Sequence, residues 1–129
     1  MIPQDLTNDL QELKDVGYVF EVKEEASKIY IEFDAFSIPS DKFSMTTTPL
    51  LIFTTQEYPK ANFDMFRTDE KLVLKNGSVP QSAEVIDTHL GKRWRRFSYH
   101  PYNSKPWNPA LDTVGSFIEH VRERFRKGV

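Results

Sequence analysis

The side chains able to do chemistry gather in one stretch, Lys92 to Trp107, which reads KRWRRFSYHPYNSKPW. His100 is its most capable member, because an imidazole can act as acid, base or nucleophile near neutral pH. Ser98 and Tyr99 beside it carry hydroxyls, which are weak nucleophiles unless a neighbouring base activates them. Asp64 is the carboxylate expected to lie near His100 and to join this candidate catalytic group. The ordinary alternative for His100 is a surface histidine held by a structural hydrogen bond. His89 and His120 are weaker candidates, and His120 sits beside the apolar stripe of the last helix, which favours a partly buried structural role. Lys92, Arg93, Arg95 and Arg96 make up the basic half of the stretch. Arg93, Arg95 and Arg96 are the residues expected to grip phosphates or the acidic surface of a partner protein. The ordinary explanation is charge that blunts an exposed strand edge against aggregation.

What is missing narrows the chemistry further. The chain has no cysteine, which excludes a disulfide framework, a thiolate metal site and a thiol nucleophile. No pair of histidines shows metal-ligand spacing, so neither a metal nor a cofactor is expected. The net charge of −2 argues against a general nucleic-acid binder, leaving only a local patch to support that use.

These residues need elements to position them. The 129 residues suffice for one domain with a hydrophobic core, spanning 1–129. The balance of 39% apolar and 28% charged residues excludes a disordered or membrane-embedded chain. No apolar run reaches the roughly 18 residues of a membrane helix, and the N-terminus lacks a signal-peptide pattern, so a cytoplasmic protein is expected. Leu6, Leu10, Leu13 and Val16 predict an opening helix that ends at Gly17. Alternation predicts strands over Tyr18–Val22 and Lys28–Phe36, joined as a hairpin, with Ile29, Ile31 and Phe33 on one face. Leu50–Phe53, a continuous apolar run, predicts a central strand covered on both faces. A weak strand is expected in KLVLKNGSVPQ and another at Trp94–Ser98. The segment between Leu50–Phe53 and KLVLKNGSVPQ reads as ordered loop, and Phe43 or Met45 is expected to pin the loop before Leu50. Asn108 as N-cap, Pro109 at the first helical position and an apolar stripe of Leu111, Val114, Ile118, Val121 and Phe125 predict the last helix. The fold class is α+β: an N-terminal helix, an antiparallel meander of about four strands, a long crossing loop and a C-terminal helix.

Two motifs in this order resemble the ubiquitin-conjugating-enzyme-like superfamily. One is LLIFTTQEYPKANFDMF, with Tyr58-Pro59 after a hydrophobic strand; the other is PWNPALDTV, with Trp107 and Pro109 ahead of a helix. The chain is most similar to the prokaryotic ubiquitin-conjugating-enzyme-like family E, through Tyr58-Pro59, Asp64-Met65-Phe66, Gly77 to Pro80, Trp94 to Ser98 and the Trp before the helix. Asn62-Phe63 departs from the Pro-rich approach to Asp64 that this family shows. The resemblance implies a ubiquitin-conjugating-enzyme-like fold in which Trp107 seats the last helix. It also implies partners among ubiquitin-like proteins and activating-enzyme homologues of a bacterial modification system. Conjugating enzymes of this superfamily carry a cysteine eight residues before that Trp, and here the count lands on Tyr99, between Ser98 and His100. Without a thiol the chain is expected to be a noncatalytic or atypical member, with transfer through a residue near His100 as one alternative and nucleic-acid binding through Lys92–Arg96 as another. HPYN, at His100 to Asn103, resembles the His-Pro-Asn of the superfamily but follows the expected cysteine position instead of preceding it. Oligomeric state is not legible.

Overall fold

The computed structural model describes residues 1–129. Helix α1 (Gln4–Asp15) buries Leu6, Leu10 and Leu13, the spacing that places three side chains on one face. Val16 does not continue this stripe: it caps the helix and is 74% exposed. The chain then turns through Gly17 at φ +102°, a left-handed conformation that a glycine adopts without a Cβ clash.

Strands β1 (Phe20–Glu25) and β2 (Lys28–Ser37) form the expected hairpin, shifted along the chain from Tyr18–Val22. Its two-residue turn, Ala26-Ser27, has φ values of +52° and +66°, the doubly left-handed turn whose twist matches paired strands. In β2, Ile29, Ile31 and Phe33 face the main core, as their alternation predicts. A bulge between Phe33 and Phe36 adds a residue and returns Phe36 to that same face, which strict alternation would not do.

The sheet has six strands, not about four. Strand β3 (Thr47–Thr54) is followed by two short strands that lack a legible period, β4 (Phe66–Asp69) and β5 (Ile86–His89), and then by β6 (Lys92–Phe97). The order is β1-β2-β3-β4-β6-β5, antiparallel throughout. The stretch KLVLKNGSVPQ forms no strand. It makes a single bridge, Leu74 with Phe43, because the Leu74 N–H donates to Ser78 and the chain turns at Asn76-Gly77. Phe43 is buried and Met45 packs beside the core, so both pin the loop before β3.

Helix α2 (Val114–Lys127) starts later than its sequence suggests. Asn108 caps a separate turn, its side chain accepting from the Ala110 N–H and its carbonyl from Leu111 and Asp112. Pro109 therefore lies in that turn, and Leu111 is 78% exposed. The true cap is Thr113, which exchanges side-chain-to-backbone bonds with Ser116. The stripe on α2 includes Phe117 as well as Val114, Ile118, Val121 and Phe125.

Both helices cover one face of the sheet and enclose a cluster of 22 buried residues. Phe125 lies at its centre, with its ring 5.2 Å from Phe66, 5.5 Å from Phe43 and 5.7 Å from Phe97. The opposite face is closed by side chains alone: Tyr30, Leu51 and Trp94, edged by Phe53 and Leu90. This second cluster explains why Leu50, Leu51 and Ile52 are all fully buried in a sheet with helices on one side only.

The Ala26-Ser27 turn yields a stability prediction. Non-glycine residues in the left-handed region cost about 1 kcal/mol each or more, and Asn-Gly suits this turn type. The double substitution Ala26→Asn, Ser27→Gly raises unfolding free energy by about 1 kcal/mol, readable as a higher urea midpoint at unchanged slope.

Candidate functional site

Two loops build the site, the β3–β4 loop (55–65) and the β6–α2 loop (98–113). Tyr58 and Trp107 lock them together. The Trp107 indole donates to the Pro59 carbonyl at 2.8 Å, and its ring lies 6.2 Å from that of Tyr58. The buried Tyr58 hydroxyl donates to Asp9 on α1 at 2.6 Å and accepts from the Val114 N–H, which opens α2, at 3.1 Å. Burial, followed by the hydrogen bond to Asp9, pushes its phenol well above the ordinary tyrosine range. Phe63 is fully buried, stacked on Phe117 and edge-on to Tyr58, so the Asn62-Phe63 departure gives this loop an aromatic anchor. Tyr102 fills the space beneath Trp107, Phe117 and His120.

This scaffold brings Asp64 and His100 together at the surface. Nδ1 of His100 lies 2.8 Å from Oδ2 of Asp64, with the side chains 39% and 40% exposed. A carboxylate only accepts, so Nδ1 is the donor; in the neutral imidazole the free lone pair then sits on Nε2. Nε2 has no partner in the chain. The Met65 N–H donates to the Tyr99 carbonyl at 3.0 Å and holds the two loops in register beneath the pair.

Ser98 and Tyr99 take no part in this hydrogen bond. Ser98 closes β6 with its N–H on the Ser82 carbonyl, and the Tyr99 ring packs edge-on to Phe66. No hydrogen bond links the Ser98 hydroxyl to His100, so a serine–histidine–aspartate relay is not assembled. The four residues singled out in the sequence thus divide into an Asp64–His100 pair and a Ser98–Tyr99 wall.

The structure divides the basic run, with its candidate binding residues Arg93, Arg95 and Arg96, between the two faces of β6. Alternation along β6 sends Arg93 and Arg95 to one face and Lys92, Trp94 and Arg96 to the other. Arg95 is buried and donates to the carbonyls of Ala83 and Glu70 at 2.6 and 2.9 Å. Arg93 pairs with Glu70 at 2.9 Å, and Lys92 with Glu32 at 3.2 Å. Lys92, Arg93 and Arg95 thus direct donors to partners within the protein, whereas the Arg96 side chain has none. No three His, Asp or Glu side chains converge to hold a metal ion.

A polar network that sequence reasoning missed lies on the open sheet face. The Tyr30 hydroxyl is 2.9 Å from Nδ1 of His89, Nε2 of His89 is 3.4 Å from Asp87, and Arg67 reaches Asp87 at 3.3 Å. Its members come from three strands, so no local spacing signals it.

Two predictions follow from these contacts. Tyr58→Phe leaves the Val114 N–H and the Asp9 carboxylate without their shared partner and lowers unfolding free energy by about 1–3 kcal/mol, measured by urea denaturation. Burial, with the Arg67 charge second, holds the His89 imidazole below its ordinary 6.5. As pH falls below about 6.5 the unfolded chain takes up a proton that the folded chain resists. This contribution to stability is intact above that pH and is lost below it. Between about pH 7.5 and pH 5.5 the wild-type urea midpoint falls more than that of His89→Gln.

No curated protein and no solved structure gives a significant match to the chain. No helix is long and apolar enough to cross a membrane. Comparison with protein-family models matches residues 6–127, nearly the whole chain, to Prokaryotic E2 family E, E2 being the ubiquitin-conjugating enzyme. The helix–meander–helix order and the Tyr58–Trp107 clasp that carried the resemblance lie within this match. The chain belongs to the prokaryotic E2 family E.

Proposed function

We propose that this E2-like protein works in the cytoplasm as a binding component of a ubiquitin-like modification system. It recognises a ubiquitin-like protein or an activating-enzyme homologue without forming a thioester. The observation that carries this reading is the family match over 6–127 in a chain with no cysteine. Thioester transfer needs a thiolate that is both nucleophile and leaving group, and the chain has no thiol to supply one. The exposed Asp64–His100 face, backed by the rigid Tyr58–Trp107 clasp, is the proposed contact surface. Titration of the isotope-labelled chain with a ubiquitin-like protein, and then with an activating-enzyme homologue from the same genome, tests it. Saturable amide shifts confined to 58–65 and 98–107 are expected. Absence of shifts with both partners at about 50 μM, above a micromolar dissociation constant, overturns the reading.

The Asp64–His100 hydrogen bond favours one second reading, an atypical transferase. Nε2 attacks the thioester carbonyl of a charged activating enzyme, a C–N bond forms and the enzyme's thiolate leaves. The resulting acylimidazolium is balanced by Asp64. An amine then takes the acyl group, and its proton passes to solvent as the C–N electrons return to Nε2. The mark of this route is an ATP-dependent adduct on this cysteine-free chain that is cleaved by hydroxylamine and disappears in His100→Ala. Asp64→Asn slows its formation by at least about tenfold, since the carboxylate no longer supports the cation. Failure to form any adduct with a charged activating enzyme removes the transferase reading and leaves the binding one intact.

A further inference from the structure

Arg124 makes fewer hydrogen bonds within the protein than the other buried arginines. Arg67 pairs with Asp87, and Arg95, which like Arg124 has no ion pair, donates to the carbonyls of Ala83 and Glu70. Arg124 is only 7% exposed, yet no ion pair of the chain includes it. Its Nη2 donates to the Gln81 carbonyl at 2.8 Å, its guanidinium carbon lies 5.2 Å over the Phe97 ring, and its buried Nη1 has no partner. Arginine keeps its proton at any ordinary pH. A buried cation without a counter-charge is costly unless something supplies one.

The surroundings of Arg124 show where that charge would come from. Arg124 walls a cleft of about 180 Å³ between the end of β6, the Gln81–Ser82 turn and the last turn of α2. Ser82, Ser98 and Tyr99 bring hydroxyls to the cleft, Lys127 brings a second cation with no ion-pair partner, and no Asp or Glu side chain lines it. Hydroxyl donors beside two cations, one of them desolvated, form a receptor for negative oxygen, since charge-assisted hydrogen bonds strengthen as water is excluded.

We propose that this cleft binds a small oxyanion, a ligand ending in a carboxylate or phosphoryl group. Arg124 and Lys127 supply the charge, and the hydroxyls of Ser82, Ser98 and Tyr99 supply the directional donors. The volume suits one such group and not a nucleotide or a folded partner. The proposal does not rest on the reading of His100, whose hydrogen bond to Asp64 lies outside the cleft lining.

The test is titration of the isotope-labelled full chain with sodium acetate and, separately, with inorganic phosphate, at constant ionic strength. Saturable shifts are expected at Ser82, Ser98, Tyr99 and the Arg124 side chain, and the tighter of the two anions identifies a carboxylate or a phosphoryl ligand. Arg124→Gln weakens binding by at least about tenfold. Because Arg124 is packed in the core, Lys127→Gln at an exposed position gives a second arm that leaves the fold intact, with weakening of about threefold. No saturable shift with either anion overturns the proposal. Shifts of unchanged affinity in Lys127→Gln and in folded Arg124→Gln overturn it as well.

Discussion

The hydroxyl of Tyr58 stands where α1, the β3–β4 loop and the start of α2 meet, donating to Asp9 and accepting from the Val114 N–H. One buried phenol thereby satisfies an N–H at the opening of α2, where a helix lacks intrahelical partners, and ties that helix to the first. The Trp107 indole, held by the Pro59 carbonyl, closes the same junction from the other loop. Everything proposed for the surface depends on this clasp, because Asp64 and His100 lie on loops that would otherwise be free to separate. Loops make precise sites when a rigid scaffold fixes them, and here the scaffold is an aromatic wedge of Tyr58, Phe63, Trp107 and Tyr102 against Phe117.

The sheet separates two kinds of stabilisation. Its helix-covered face is an aromatic core around Phe125, where burial from water dominates. Its open face is sealed by Tyr30, Leu51 and Trp94 together with the Tyr30–His89–Asp87–Arg67 network. Partial burial makes that network sensitive to protonation, whereas the helix face holds the buried arginines Arg95 and Arg124 at the margin of the core. Polar groups retained at such positions carry a desolvation cost that apolar packing would avoid. Arg124 is thus a more informative residue than the exposed cations near it.

The chain joins membership of a conjugating-enzyme-like family with the absence of any cysteine. Its fold presents an oriented imidazole at the surface and, on the other side of Tyr99, a cationic cleft. The first is a hydrogen-bonded pair exposed at the surface; the second is a cleft of about 180 Å³ walled by Arg124 and Lys127. The Asp64–His100 pair is not part of the cleft lining.

Much of the frame was legible in the residues alone. Spacing of Leu6, Leu10 and Leu13 determined α1, alternation from Lys28 to Phe33 determined β2, and Tyr58-Pro59 with Trp107 marked the loops that clasp. These signals are local, carried by a period or by a motif in sequence. The absence of cysteine settled by itself that this chain carries no thiol. Other features depended on distant partners. The strands β4 and β5 exist because β3 and β6 offer them backbone hydrogen bonds, and Phe36 reaches the core through a bulge no period encodes. Pro109 and Asn108 offered a good helix start, but the Tyr58 hydroxyl and the Thr113–Ser116 capping box placed it at Val114. Arg95 looked like its exposed neighbours until β6 turned it inward. Local pattern thus determined which segments are helix or strand and which chemistry is excluded. Tertiary structure decided which polar groups meet, as with Asp64 and His100, because a hydrogen bond across 36 residues depends on how the chain folds back and not on spacing.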